Sequence, residues 1–314
     1  MESSASSIQE KPITRRNFLS RMMDNPVITK ELKGRMRSRQ GFIILVAYLS
    51  LISIFILLIY LFLAVDGTAS NSDPSFLQTV GKVIFSTVVL LELLMLGFIG
   101  PALTAGAISG EREHKTIDLL RTSLLSGRAL VFGKLSSAVV FLLLLVFTAL
   151  PVESLAFFLG GVGMAEMIIS TLMLVITAVF FCTLGLFFSS FSKRTLIATV
   201  LSYSSILISF IVFSFLLFFI SMLGSYNNYP SAFVENIITG VMWFLFSTNP
   251  FYAATISEVT LINDQSLFIT TNSIFGTTSS FPLPSPWIIY LIFYAILTVI
   301  LISLSIRFVN RPDR

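Results

Sequence analysis

Six apolar stretches dominate this chain and leave little freedom in what it can become. Residues 41–65, 83–110, 130–152, 167–192, 195–224 and 287–306 each run for at least 20 residues. Between them they hold two charged residues, Glu92 and Lys134. A helix needs about 20 predominantly apolar residues to cross a bilayer, so each stretch predicts one span. Only 11% of the 314 residues are charged and 55% are hydrophobic. A soluble domain carries roughly 25% charge, so most of this surface must face lipid. The expected fold class is all-α integral membrane with six transmembrane helices.

The basic residues orient these spans. The N-terminal tail carries Lys11, Arg15, Arg16, Arg21, Lys30, Lys33, Arg35, Arg37 and Arg39. The loop after span two carries Arg112, Lys115, Arg121 and Arg128, with Lys134 at its edge. Lys193 and Arg194 separate spans four and five, and Arg307, Arg311 and Arg314 end the chain. The three opposite loops share one basic residue, Lys82, so 19 of the 20 Lys and Arg lie on one side. Positive loops stay in the cytoplasm, so both termini are expected there, in the cell membrane. The net charge of +4 then suits anionic lipid. No nucleic-acid module is visible.

An even number of spans also decides one ambiguous segment. Residues 237–246 are apolar but too short to cross. Counting them as a seventh span would move the basic C-terminus outside. They are expected as an interfacial or re-entrant helix within an external loop, 225–286. The end of that loop, Phe281-Pro282-Leu283-Pro284-Ser285-Pro286, cannot be regular helix, because proline lacks the N–H. Trp287 and Tyr290 follow where an aromatic belt is expected.

Two further helices are expected on the cytoplasmic side. In 25–40, Asn25 can cap and Pro26 suits the first turn. Ile28, Leu32 and Met36 form an apolar stripe facing Lys30, Lys33 and Arg37, so the helix should lie in the membrane interface. In 116–124, Thr116 can cap, and Ile117, Leu120 and Leu124 form a stripe while Leu119 points elsewhere. A helix with apolar surface on two sides needs a partner beyond lipid. Residues 1–24 are expected as a disordered cytoplasmic tail, 41–308 as the spanning domain and 309–314 as a second tail. The polar N-terminus lacks the apolar core of a cleavable signal.

Few residues could carry chemistry. Glu92 is an acid well inside a predicted span, where a carboxylate is costly and is a functional candidate. Glu153 and Glu166 fall near external ends, where solvation is expected. Ala102, Gly106 and Gly110 recur every four residues and suit close helix packing. Pro101 should bend span two. With one His and one Cys, a site of several His or Cys metal ligands is excluded. No phosphate-binding loop is present, and neither is a hydrolase signature. The chain is expected to catalyse nothing and to bind no cofactor.

The run Gly106-Ala107-Ile108-Ser109-Gly110-Glu111-Arg112-Glu113, followed by Lys115-Thr116-Ile117-Asp118-Leu119-Leu120, resembles a segment of the membrane subunits of type-2 ATP-binding-cassette transporters. Leu125-Ser126-Gly127-Arg128-Ala129-Leu130-Val131-Phe132-Gly133-Lys134-Leu135 is similar to their entry into span three, and Asn25-Pro26-Val27 with Lys30-Glu31-Leu32 to the interface helix of some members. The resemblance implies a permease subunit, an exporter, paired with a second permease and with cytoplasmic ATPases that hold ATP and Mg. It implies that Glu111, Arg112, Glu113, Thr116, Ile117, Leu120, Arg121 and Leu124 meet the ATPase at a coupling helix. It assigns Lys30, Glu31 and Lys33 to the interface helix. Two alternatives stay open on the residues themselves. One is a secondary transporter or channel working through Glu92, against which no inverted repeat is seen. The other is a non-transporting membrane assembly protein.

Overall fold

The computed structural model describes residues 34, 39–65, 74–115, 127–224, 232–264, 267–270 and 282–310. The coupling helix expected over 116–124 lies outside the described residues, as does the interface helix over 25–40 apart from Gly34, Arg39 and Gln40. The tail expected over 1–24 lies outside them too.

In chain order the elements are α1 (Arg39–Val65), α2 (Pro74–Thr104), α3 (Ser109–Glu113), α4 (Gly127–Phe158), α5 (Met164–Phe191) and α6 (Thr195–Gly224). Then come α7 (Ala232–Thr248), α8 (Pro250–Asp264), β1 (Ile269–Thr270), β2 (Leu283–Pro284) and α9 (Pro286–Asn310). Six helices are long and apolar enough to cross a membrane: α1, α2, α4, α5, α6 and α9. The protein is an all-α, six-span membrane protein.

Helix α5 is the centre of the bundle and packs against α2, α4 and α9. Half of its most apolar stretch is buried, against 11% for α1 and for α6. Helices α2 and α5 meet through missing side chains. A Cβ on Gly100 would stand 2.9 Å from the Phe181 Cβ, and one on Gly185 would stand 3.0 Å from the Pro101 Cα. Small residues let spans approach because lipid supplies no hydrophobic force between them. The stripe expected to pack closely, Ala102, Gly106 and Gly110, is not part of this α2–α5 contact. Ala102 and Gly106 are exposed, and Gly110 lies opposite only the Thr195 methyl. Its four-residue spacing crosses the end of α2 at Thr104.

The stretch expected as one span over 83–110 lies within a single stretch long and apolar enough to cross, Leu77–Glu113, but its helix is interrupted after Thr104. Pro101 weakens the ladder. A side chain from another helix then enters it. The Ser189 hydroxyl accepts from both the Ile108 and Ser109 N–H groups, each at 2.9 Å. The chain turns through 105–108 and restarts as α3.

The segment read as an external loop is largely helical. Pro250 begins a helix. Proline suits a first helical position, where its missing N–H is not needed. The Asn249 Oδ1 accepts from the Phe251 and Tyr252 N–H groups at 3.1 and 3.4 Å, as an N-cap does. The α7–α8 hairpin packs on α9, and α8 reaches α2 and α5. The Tyr294 hydroxyl donates to the Thr248 carbonyl, and the Trp243 indole N–H donates to the Pro284 carbonyl. The proline-rich run forms β2, antiparallel to β1 with Ile269 opposite Pro284. Tyr290 is not in an aromatic belt. It is fully buried and shares a 2.6 Å hydrogen bond with Thr177 of α5.

Candidate functional site

The first region of interest is the end where the basic residues gather. Here α3 is tied to three other helices. The Lys134 Nζ of α4 lies 3.2 Å from the Glu111 Oε1, and the Lys134 side chain is only 8% exposed. Arg112 donates through Nη1 to the Ser192 carbonyl at 3.4 Å. The Glu113 Oε2 accepts from both the Thr195 N–H, at 3.1 Å, and the Thr195 hydroxyl, at 2.9 Å. Glu113 thereby caps α6 from outside it, where a carboxylate also favours the positive end of the helix dipole. Lys115 then takes φ of 55°, the left-handed region, and ends α3. At the neighbouring start of α4, Gly127 leaves no room for a side chain beside Asn310 of α9.

Of the residues expected at the coupling surface, Glu111, Arg112 and Glu113 are therefore held together by α4, α5 and α6. Thr116, Ile117, Leu120, Arg121 and Leu124 lie outside the described residues, as do Lys30, Glu31 and Lys33.

The second region lies toward the opposite end. Glu92 is fully buried, about 18 Å along the helix axis from Thr104. Glu153 was expected in solvent and is 1% exposed instead. Its span was expected to end at residue 152, but α4 continues through Pro151 to Phe158. The two carboxyls interact with each other, and Tyr48 of α1 approaches Glu92. None of the four carboxyl oxygens makes a hydrogen bond of ordinary geometry. Buried polar groups are nearly always satisfied, so this pair is exceptional.

Next to it runs a narrow cleft lined by Glu166, Ser170, Ser257 and Glu258 beside Val89 and Leu93. Burial pushes the Glu258 carboxyl up to about 7; the Ser86 hydroxyl opposes that rise, and Glu166 and Glu153 add to it. Glu166 itself accepts from the Gly163 N–H as the cap of α5. A separate cavity of about 220 Å³ has aromatic walls, including Phe180, Phe181, Phe210, Phe293 and Tyr294, with Asn249 at its edge. Among the described residues no group of three or more His, Cys, Asp or Glu converges as metal ligands.

Glu153 carried a faint signal. It follows Pro151 by two residues, and proline within a span is tolerated when neighbouring helices surround it. Ser189 carried none, sitting in a run of Phe and Ser that only contacts can rank.

Six spans, with α2, α4, α6 and α9 packed directly on α5 and the second broken just before a charged segment, define a multi-pass membrane protein. The chain belongs to a known family: the model described as ABC-2 family transporter protein matches residues 26–312. Among curated proteins none matches the chain. The protein is an ABC transporter permease, a membrane subunit of a class that associates with ABC ATPases.

Proposed function

We propose that this permease is the membrane half of an exporter, pairs with a second permease, and is driven by separate ATPases that bind ATP and Mg. Both termini are in the cytoplasm and the membrane is the cell membrane, in keeping with the distribution of Lys and Arg. One observation carries the coupling role. Helix α3 is joined to α4 by Glu111–Lys134, to α5 by Ser189 and Arg112, and to α6 by Glu113. A push on 116–124 reaches three spans through short polar links.

An ATPase should co-purify with the chain in mild detergent. Glu113→Lys or Leu120→Asp should leave ATP hydrolysis running while transport falls, or should release the ATPase. Transport at the wild-type rate in those variants, or full-rate transport by the chain alone, overturns the reading. The aromatic cavity fits an apolar or amphipathic cargo. Filling it with Phe210→Trp should lower transport without loosening the ATPase; unchanged transport removes the cavity from the path.

A further inference from the structure

Two carboxyl groups face each other inside the bundle, and among the described residues no cationic side chain acts on either. Glu92 comes from α2 and Glu153 from α4, at 0% and 1% exposure. The groups acting on Glu92 are Glu153 and Tyr48, and the group acting on Glu153 is Glu92. No cationic side chain is among them. Each ion moved from water into a protein interior costs several kcal/mol after relaxation, and two like charges side by side add repulsion. Two bare carboxylates are therefore not a stable state of this site. A mobile positive charge must sit between them.

Helix geometry favours a proton over a metal ion. A sodium-sized or calcium-sized cation wants six or more oxygen ligands. Here the surrounding backbone belongs to α1, α2 and α4, whose carbonyls are committed to helix ladders apart from the one that Pro151 leaves without an N–H. A carboxyl pair with one phenol can share a single hydrogen, as close carboxylate dyads do.

A route away from the site is also present. Glu258 of α8 senses Glu153 and Glu166 and lies close to Ser86 of α2. Glu258 and Glu166 line the cleft at the end remote from the basic residues. The acids thus run in series from the bundle interior to that end: Glu92, Glu153, Glu258, Glu166.

We propose that Glu92 and Glu153 form a proton-binding site that keeps one hydrogen between them and exchanges it through the Glu258 cleft. The site rests on the membrane-embedded fold alone and not on ATPase coupling, so the two readings fail separately. It makes the protein responsive to the pH of the compartment that the cleft faces.

The test uses the full chain in lipid nanodiscs and follows the infrared carbonyl stretch of protonated carboxyls as pH is raised. The unsubstituted protein should keep that band at neutral pH, and Glu92→Gln with Glu153→Gln together should remove it. In Glu153→Gln the surviving Glu92 should titrate lower than in the parent, because its charged neighbour has gone. Glu258→Leu should slow the shift of the band on transfer to heavy water. If a variant does not fold, dicyclohexylcarbodiimide labelling of the unsubstituted chain reads the same hydrogen, with modification expected on Glu92 or Glu153. Absence of the band and of labelling at neutral pH overturns the proposal. So does a Glu153→Gln variant in which Glu92 titrates as in the parent. A band that disappears when sodium or potassium replaces choline at fixed pH assigns a metal cation and overturns it too.

Discussion

The same side chain has two environments in this protein. At the basic end, Glu111 and Glu113 each meet a donor: the Lys134 ammonium for one, the N-terminus of α6 for the other. In the opposite half, Glu92 and Glu153 meet each other. Glu111 is 32% exposed, whereas Glu92 is fully buried. The acids nearer water are the paired ones, and the acids furthest from it are not. Selection for stability alone would give the reverse. The first pair holds helices together, and the second is kept at a cost to the fold.

Substitutions can break that contrast. The largest effect is expected from Glu92→Leu with Glu153→Met. Replacing buried, unsatisfied groups by apolar ones of similar size should stabilise the fold by roughly 1–4 kcal/mol. Thermal unfolding in detergent micelles measures it, and a fall in stability would mean the pair is structural. Lys134→Met should act in the opposite direction, by roughly 1–3 kcal/mol, because the Lys134–Glu111 ion pair is lost from a partly buried site. If both changes moved stability the same way, the contrast would not hold.

Glu258 sharpens the comparison through pH. Burial raises its carboxyl from 4.5 to about 7. The folded chain then binds more protons than the unfolded chain between those values. This contribution to stability is full below 4.5 and is lost as pH rises through 7. Because the group is partly exposed, its effect should be smaller than either substitution above. Glu258→Gln should flatten the slope of melting temperature against pH in that window, and an unchanged slope would exonerate Glu258. The smallest effect is expected at Lys115. Its φ of 55° suits glycine, so Lys115→Gly should stabilise by about 0.5–1 kcal/mol. Equal or lower stability would mean that the Lys115 side chain supplies a compensating contact.

The six spans were legible because hydropathy over 20 residues is a property of composition, and lipid enforces it. The ends of spans were not, because they depend on single contacts. Helix α2 stops where the Ser189 hydroxyl takes two N–H groups, and nothing within 83–110 announces a partner from α5. Helix α8 was hidden by Asn249-Pro250, which reads as a stop and serves as a cap followed by a first turn. Of the acid pair, Glu92 was legible because it interrupts an apolar run. Glu153 was not, because its charge falls where an apolar run ends, and the continuation of α4 to Phe158 depends on packing. The small-residue stripe at Ala102, Gly106 and Gly110 runs across a break that its spacing does not announce.

The turn between α4 and α5 is wedged under the start of α2. A Cβ on Gly161 would lie 2.5 Å from the Lys82 nitrogen, and one on Gly81 would lie 2.9 Å from the Ala156 carbonyl oxygen. Backbone touches backbone there, with no side chain to slide. The three helices are therefore expected to travel as one rigid body at that end. Motion in a transport cycle is left to the bare flanks, α1 and α6, sweeping past a fixed keel. Spin labels on α2 and α5 near this wedge should keep a constant separation through ATP turnover, while labels on α6 should not. A changing distance across the wedge would mean that the keel itself opens.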